Sequence, residues 1–166
     1  MMMIGYIRAF DICTPARYQA ISIGTNGAGQ TERREVYYDA YNYSVRIDIS
    51  TDTTNQTTFS YFSPNNSQTG QEWVIDQTGN CYQTGPDYWN PQCWGDSYGT
   101  PFVSNTNNML TFSNPSNGYT AIVAENGLPM KIVMEYSGLV IYFYESQSYI
   151  SDPSVFNLPK ICKQQE

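Results

Sequence analysis

The side chains that most enzymes use for acid–base or nucleophilic chemistry are scarce in this sequence. It contains no histidine, which rules out Ser-His and Cys-His dyads and histidine-ligated metal sites. Two carboxylates could still hydrolyse a glycosidic bond if the fold held them at a suitable separation. Asp39, Asp48, Glu72 and Asp76 are candidates, but nothing in their spacing sets such a separation. We therefore expect no catalytic residues and a protein that is not an enzyme.

The four cysteines have the best-defined chemistry. Cys13, Cys81, Cys93 and Cys162 are even in number and widely spread. Zinc sites usually leave only about two to four residues between two cysteines, far fewer than lie between Cys81 and Cys93, so this spacing favours disulfides over zinc. Two arrangements fit: Cys81–Cys93 with Cys13–Cys162, or a crossed one in which Cys81 pairs with Cys162. The alternative to disulfides is four reduced, buried thiols.

Composition excludes two classes of partner. The 166 residues carry 8 basic and 15 acidic side chains, a formal net charge of −7. Nucleic-acid binding needs a basic surface, so we expect no nucleic-acid partner. No apolar run approaches the ~20 residues of a membrane helix, so we expect no transmembrane segment. The sparse charges and 15 tyrosines favour a β-rich, secreted extracellular protein.

The N-terminal residues MMMIGYIRAFDIC do not form a recognisable secretory signal. They lack a basic segment followed by a long apolar stretch, and Arg8 interrupts the best candidate. We interpret residues 1–12 as a leader remnant or a disordered segment. Residues 13–162 are predicted to form a single β domain, because this length suits one core, and residues 163–166 a tail.

Alternation of apolar and polar residues predicts strands along most of the chain. In SVRIDIS, Val45, Ile47 and Ile49 face one way and Arg46 and Asp48 the other. Six more segments, bounded by Gly, Asn and Pro, follow the same pattern: ARYQAISIG, REVYYDA, QTTFSYFS, QEWVIDQT, NMLTFSN and YTAIVAE. We predict an all-β, mainly antiparallel meander.

Turn residues predict how neighbouring strands pair. Asn126-Gly127 is a strong hairpin signal. In MKIVMEYSGLVIYFYE, a two-residue Ser137-Gly138 loop would create three pairs on one face: Tyr136 with Leu139, Met134 with Ile141, and Ile132 with Phe143. Helix is predicted only at DPSVF, where Asp152 can cap a turn that begins at Pro153.

The segment CYQTGPDYWNPQCW concentrates aromatic side chains between two cysteines. Tyr88, Trp89 and Trp94 could form an exposed platform that stacks on sugars, because aromatic rings combine an apolar face with polar edges. The interpretation that we favour is that they shield a disulfide, since Cys81 and Cys93 bracket the loop.

Three sequences match the acceptor motif for N-glycosylation. They are NYS at Asn42, NQT at Asn55 and NNS at Asn65. In a chain this rich in Asn, Ser and Thr, chance alone would produce such motifs, so they are compatible with secretion without demonstrating it.

The order of four segments resembles the ependymin and ependymin-related family. They are EVYYDAYNYSVRID, WVIDQTGNC, GLPMKIV and DPSVFNLPKIC, and the resemblance covers roughly Cys13 to Cys162. It implies an ependymin-like domain with a lipoprotein-carrier-like fold. The expected architecture is a curved, partly open β-barrel or two stacked antiparallel sheets, with a hydrophobic pocket and at most one or two short helices.

The resemblance also implies a secreted or lysosomal glycoprotein, sometimes dimeric, that binds lipids and is associated with calcium. The residues themselves offer calcium little, because no EF-hand motif is present. Asp48 with Asp52, or Asp87 with Asp96, could meet across loops. We predict no metal site and no cofactor, with calcium left open. A homodimer through a sheet edge or face is a further option, which the tyrosine-rich surface would suit.

A curved sheet with one apolar face must cover that face with another element or a ligand. The predicted pocket lining is the apolar face of the central strands: Val45, Ile47, Phe59, Tyr61, Trp73, Ile75, Ile132, Met134, Ile141 and Phe143. The alternative is that these residues are packed core.

Two functions follow from these observations. The first is a secreted carrier that encloses a lipid, a fatty acid or another apolar small molecule. The second is a matrix or cell-surface adhesion module that contacts protein or glycan.

Overall fold

Antiparallel strands form most of the structure, a computed structural model that describes residues 10–63, 66–89 and 92–164. The strands are β1 (Ile12–Cys13), β2 (Arg17–Thr25), β3 (Thr31–Asp39), β4 (Ser44–Ser50), β5 (Asn55–Ser63), β6 (Asn66–Ile75), β7 (Cys81–Asp87), β8 (Cys93–Trp94), β9 (Phe102–Thr106), β10 (Met109–Asn114), β11 (Tyr119–Ala124), β12 (Pro129–Met134) and β13 (Leu139–Gln147). Four short 3-10 helices span Asp96–Tyr98, Glu135–Ser137, Pro153–Phe156 and Cys162–Gln164.

Eleven strands form one sheet, in the order β7-β6-β5-β4-β3-β2-β13-β12-β11-β10-β9. It consists of two meanders, β2 to β7 and β9 to β13, which join where β13 pairs with β2. β1 and β8 form a separate two-stranded sheet. The all-β, antiparallel prediction is confirmed. The described strands do not close into a barrel, and none of the described helices reaches seven residues.

The strand register defines two faces of the large sheet. Tyr18 of β2 lies opposite Tyr38 of β3, which lies opposite Val45 of β4, so their side chains share a face that we call the inner face. Arg46 of β4 pairs with Phe59 of β5 on the other side, the outer face. The long-range pairing of β13 with β2 carries the inner face into the second meander, through Phe143 and Ile141.

The connection between β7 and β9 shows that the sheet curves toward its inner face. Trp89 packs on Phe62 of β5 with ring centroids 5.2 Å apart, and Trp94 packs on Leu110 and Phe112 of β10. Seven strand spacings separate β5 from β10, roughly 34 Å along a flat sheet. Five residues of extended chain span only about 17 Å. Leu128 of the β11–β12 turn also packs in one cluster with Tyr18 of β2 and Tyr38 of β3, so the sheet bends around the aromatic side chains on its inner face.

The C-terminal segment covers the outer face of β4 to β7. Tyr61 Oη donates to the carbonyl of Phe156 at 2.5 Å, and Arg46 Nη1 donates to the carbonyl of Val155 at 2.9 Å. Leu158 packs on the cluster that contains Phe59. Burial raises the pKa of Tyr61 to about 12, against a smaller opposing effect of Arg46. The helical turn predicted here is present, and its cap is confirmed because the Asp152 side chain accepts from Ser154 N.

Both disulfides are present, and their pairing is the crossed one. Cys13 bonds to Cys93 and Cys81 to Cys162, so the alternative pairing of Cys81 with Cys93 is wrong. The first bond joins β1 to β8, and the second ties the C-terminal segment to β7. Cys162, near the C-terminal end of the described chain, is thereby anchored on the outer face.

The predicted strands are present, but one hairpin differs in register. β12 and β13 pair Met134 with Leu139 and Ile132 with Ile141, two residues away from the predicted pairing. The cause is the 3-10 turn at Glu135–Ser137, which lengthens the loop and removes Tyr136 from the ladder. A shift of two residues leaves each side chain on its predicted face.

The described residues just before Cys13 contact the rest of the domain. Phe10, placed before the predicted domain, packs on Phe102 with ring centroids 5.2 Å apart, and β1 begins at Ile12. The described part of the domain therefore starts earlier than Cys13. Within the described residues, helical structure is limited to four 3-10 turns of three or four residues each, which agrees with the prediction of very little helix. Among the described residues, no helix has the length and apolarity needed to cross a bilayer.

Gly127 is required at the β11–β12 turn for two separate reasons, which a pair of substitutions can resolve. Gly127 and Gly79 both have positive φ, 84° and 81°, but a Cβ at Gly127 would collide with the carbonyl of Cys13, whereas one at Gly79 would meet nothing. We expect Gly79→Ala to lower the free energy of unfolding by about 1–2 kcal/mol and Gly127→Ala to lower it by clearly more, as measured by urea denaturation. Equal losses would show that the collision is relieved by movement of β1.

Candidate functional site

A cleft of about 770 Å³ opens at one end of the sheet between three hairpin tips. β2 and β3 supply the first tip, β4 and β5 the second, and β12 and β13 the third. The lining residues are Asn26, Gly29, Gln30, Thr31, Glu32, Thr51, Asp52, Thr53, Thr54, Ser137 and Leu139. The rim of the cleft is therefore polar, and it lies at the end of the sheet formed by these three hairpin tips.

Side chains bonded to backbone groups hold two of these tips in shape. Asn26 Oδ1 accepts from the backbone N–H of Ala28 and of Gln30, both at 3.0 Å. Thr51 Oγ1 accepts from the N–H of Thr54 at 3.0 Å. Such local bonds are what Asn and Thr provide in turns, so the mouth of the cleft is locally ordered without help from a partner.

Below the cleft, the inner face is apolar and only partly covered. Leu139 lies in the cleft wall. Deeper along the strands, Ile49, Ile132 and Phe143 are half-buried and Ile141 is buried. A face with this composition can contact an apolar ligand that enters between the tips.

An ion pair crosses this apolar surface. Arg34 Nη2 contacts Glu32 Oε1, and Glu32 also lines the cleft. The Glu32 side chain lies over Gly24, where a Cβ would be 3.4 Å from Glu32 Cγ and Oε1 and 3.6 Å from Ile141 Cγ1. A larger residue at position 24 would crowd this arrangement. The guanidinium and carboxylate together leave the inner face electrically balanced at this level.

Two polar atoms beside the ion pair lack hydrogen-bond partners within the described part of the chain. They are Arg34 Nε and Ser22 Oγ. Ser22 is 0% exposed and lies directly opposite Arg34 on one side and Phe143 on the other. Directly opposite side chains have Cβ atoms only about 5 Å apart, so the two donors are neighbours on the inner face.

The opposite end of the inner face is closed by aromatic side chains. Trp89 stacks on Tyr38 with ring centroids 5.2 Å apart and meets Phe62 edge-on. Tyr18 donates from its hydroxyl to Gln92 Oε1, and burial raises the pKa of Tyr18. The interior is therefore filled by aromatic side chains at this end of the inner face.

The aromatic cluster CYQTGPDYWNPQCW thus has a different role from both predicted ones. Trp89 and Trp94 fill the inner face, so they form neither an exposed platform nor a shield between Cys81 and Cys93, which are not bonded to each other. Tyr88 is 63% exposed. The side chains that do pack on the buried disulfide are Phe59 and Trp73.

The ten residues predicted to line one pocket divide between the two faces. Six lie on the inner face: Val45, Ile47, Ile132, Met134, Ile141 and Phe143. Four lie on the outer face, around or beneath the C-terminal segment: Phe59, Tyr61, Trp73 and Ile75. The single-face assignment is corrected because the β4–β5 register pairs Arg46, not Val45, with Phe59.

Of the six inner residues, Val45, Ile47 and Phe143 also pack against the core cluster around Tyr38. The remaining apolar surface near the cleft includes Ile49 and Leu139, which the pocket prediction left out. Ile49 could have been identified, because it continues the alternation of Val45 and Ile47. Arg34 and Ser22 could not, since nothing in the local pattern distinguishes them from solvent-facing residues.

The glycosylation and calcium predictions remain predictions. Asn42 lies exposed after β3, where its Nδ2 donates to Asp39 Oδ2 at 2.7 Å. Asn55 is exposed at the start of β5, and Asn65 lies outside the described residues. Asp48 is ion-paired with Arg46 at 2.9 Å. No group of three acidic or cysteine side chains suited to a metal ion occurs among the described residues.

Comparison with known proteins adds no family assignment. No protein-family model matches the chain, and no curated protein matches it. The resemblance to the ependymin family therefore stays a prediction, and the site must be interpreted from its own geometry.

Proposed function

We propose that this protein is an extracellular carrier that binds an apolar ligand on the inner face of its sheet, through the cleft between the three hairpin tips. The observation that supports it best is the partly exposed apolar surface of Ile49, Ile132 and Leu139 beneath a cleft of about 770 Å³. A cleft of this size is within the range of small-molecule sites.

The energetic basis of such binding would be burial of apolar surface. Removing apolar area from water contributes about 25 cal/mol per Å², and the far end of the inner face is already closed by Trp89 and Tyr38. A ligand would complete the coverage that the sheet's own elements leave open. The two disulfides support the extracellular assignment, because such bonds are rare in reducing compartments.

A matched pair of substitutions tests the site. Leu139 and Val140 are adjacent and half-buried, but Leu139 lies in the cleft wall and Val140 points to the outer face, opposite Thr25. We expect Leu139→Glu to weaken binding of the neutral dye Nile red by about tenfold or more, because an unpaired charge on an apolar contact surface costs several kcal/mol. Val140→Glu should change the affinity less than about twofold.

The native ligand can be sought directly. The protein would be secreted from a eukaryotic host, and its native mass compared with its denatured mass after organic extraction. We expect a stoichiometric apolar molecule to be lost on denaturation. Equal masses, combined with no uptake from a lipid mixture and no binding of Nile red, would exclude the carrier.

An exposed aromatic surface favours a second function, adhesion to protein or glycan. On the outer face, Tyr142 and Tyr144 of β13 are 45% and 50% exposed and flank Ile23 and Ile21 of β2. Lys131 lies over the Tyr142 ring, with Nζ 4.9 Å from its centroid. Aromatic residues of this kind are enriched at interfaces, and a homodimer would use the same surface. Loss of partner binding in Tyr142→Ser, with Nile red binding unchanged, would support this function.

A further inference from the structure

The cleft between the three hairpin tips contains a carboxylate that no basic side chain balances. Glu32 and Asp52 are the two charged residues among those that line it. Glu32 is paired with Arg34, whereas Asp52, exposed in the β4–β5 tip, forms no ion pair with any described residue. The lining residues include no Lys or Arg. The wall of the cleft, as far as the structure describes it, therefore carries a net negative charge at Asp52.

The other polar side chains of two of the tips are largely engaged within their own turns. Asn26 Nδ2 donates to Gln30 Oε1 at 2.9 Å, and Asn26 Oδ1 accepts from two backbone N–H groups. Thr51 Oγ1 and Thr54 Oγ1 share a hydrogen bond of 2.8 Å. Each bond of this kind uses donor or acceptor capacity that a ligand would otherwise contact. The charge of Asp52 is therefore the strongest polar feature that the mouth of the cleft offers to a ligand.

The position of Asp52 is fixed by the turn around it. Thr51 N donates to the carbonyl of Thr54 at 2.8 Å. Thr51 Oγ1 also accepts from the N–H groups of Thr53 and Thr54, at 3.3 and 3.0 Å. Such local bonds shape the turns in which threonine occurs, and here they close the tip on both sides of Asp52. The carboxylate is thereby held at the mouth of the cleft.

An apolar side chain lies on the other side of the same cleft. Leu139 lines it from the β12–β13 tip, and the β2–β3 tip lies between Leu139 and Asp52 in the strand order. Three to four strand spacings separate the two residues, roughly 14–19 Å along a flat sheet and less along a curved one. The cleft therefore presents a charge on one side and an apolar wall on the other, which is the pattern that an amphiphile matches.

The sign of the charge decides which amphiphile fits. A negative head group at the mouth would be repelled by Asp52 and by a chain with a formal net charge of −7. A positive head group would be attracted by the same carboxylate, and the field of the whole chain would raise its local concentration. A neutral ligand would gain neither effect. Charge and apolar surface together favour a cation with an apolar chain.

On this basis we infer that the ligand of the proposed carrier is a cationic amphiphile, whose ammonium group pairs with the Asp52 carboxylate at the mouth of the cleft while its apolar chain contacts Leu139. The inference rests on the proposed function and specifies its ligand class. It separates the site from one for free fatty acids, whose head group carries the opposite charge at neutral pH.

Three probes of equal chain length, used below their micelle concentrations, test the inference by displacement of Nile red at pH 7.5: dodecyltrimethylammonium, dodecanol and dodecanoate. We expect the cation to bind most tightly and dodecanoate most weakly. In Asp52→Asn the affinity for the cation should fall by about two- to fivefold, the effect of losing one solvent-exposed ion pair, while dodecanol affinity stays unchanged. Asp52→Lys should weaken binding of the cation further and strengthen binding of dodecanoate.

Asp96→Asn is the matched control, because it removes the same charge from an exposed aspartate that does not line the cleft. It should leave all three affinities unchanged. Salt provides a second measurement: the preference for the cation over dodecanol should shrink between about 20 mM and about 500 mM NaCl, because salt screens exposed charges. Circular dichroism and thermal melting would verify that each variant folds as the unmodified chain does.

The outcomes are distinguishable. Dodecanol binding with no preference for the cation, or tighter binding of dodecanoate, would overturn the inference and leave the carrier function standing. Equal losses of cation affinity in Asp52→Asn and Asp96→Asn would do the same, because they would indicate attraction to the net charge of the chain alone. If neither Nile red nor any of the probes bound, the carrier function and the inference would both fail.

Discussion

Replacing Cys81 and Cys162 together by alanine is expected to lower the free energy of unfolding by more than replacing Cys13 and Cys93. The two bonds span 81 and 80 residues, so loop-closure entropy predicts about 4.5 kcal/mol for each. The expected difference between the two variants arises because only one of the two disulfides is buried. Cys81 and Cys162 are 1% and 0% exposed and pack with Phe59 and Trp73, whereas Cys13 is exposed. Loss of the buried sulfur contacts should add about 1–2 kcal/mol.

Urea denaturation followed by circular dichroism would measure both losses, with each double-alanine variant serving as the reference for the other. Limited proteolysis provides a second measurement, because only the Cys81 and Cys162 variant should release the C-terminal segment from the outer face, exposing Tyr61 and its neighbours. Equal destabilisation of the two variants would contradict the burial argument. A loss below about 1 kcal/mol in either would contradict the loop-closure argument for that bond.

Local pattern was sufficient to predict most strands, because their determinants are local. SVRIDIS matches β4 from Ser44 to Ser50, since strict alternation has only one interpretation. The β12–β13 register was wrong by two residues, yet the faces of Ile132 and Ile141 were right, because side chains repeat every two residues. An error of two residues in loop length leaves every side chain on its predicted face. An error of one residue moves every side chain of the strand to the other face.

The prediction that all ten residues line one pocket failed at β5, because this strand was assigned the wrong face. This strand is apolar on both faces, with Phe59 outward and Phe62 inward, so its alternation does not reveal which face is which. The β4–β5 register and the C-terminal segment on the outer face together determine which side chains of β5 point inward. The sequence of one strand does not specify which segment packs on it. Here the segment that covers the outer face lies about a hundred residues away in the chain, as the hydrogen bond from Arg46 to Val155 shows.

The remaining features depend on contacts between distant segments, which local patterns do not specify. The pairing of β13 with β2 joins the two meanders, and the inner position of Trp89 and Trp94 follows from sheet curvature. The ion pair of Arg34 with Glu32 is another case. In an alternating strand, charged residues at positions 32 and 34 predict a solvent-facing stripe, but here both side chains are half-buried on the inner face, near the cleft.

Trp94→Ala is expected to be the most damaging single substitution on the inner face, with a loss of about 3–5 kcal/mol. Trp94 is 4% exposed and packs on Leu110, Phe112, Ala121 and Val123. Its Nε1 also donates to Tyr119 Oη at 3.0 Å. The substitution would leave both a large cavity and a part-buried hydroxyl without its donor, and these two costs can be separated.

Trp94→Phe separates them, because it keeps most of the ring and removes only the N–H. We expect a loss of about 1–2 kcal/mol for this variant, by urea denaturation followed by circular dichroism, since tryptophan fluorescence changes with the substitution itself. Similar losses in Trp94→Phe and Trp94→Ala would mean that the hydrogen bond, not the packing, secures β8 on the inner face. Because Trp94 adjoins Cys93, whose bond to Cys13 holds β1, a small loss in both would mean that the disulfide alone keeps this segment in place.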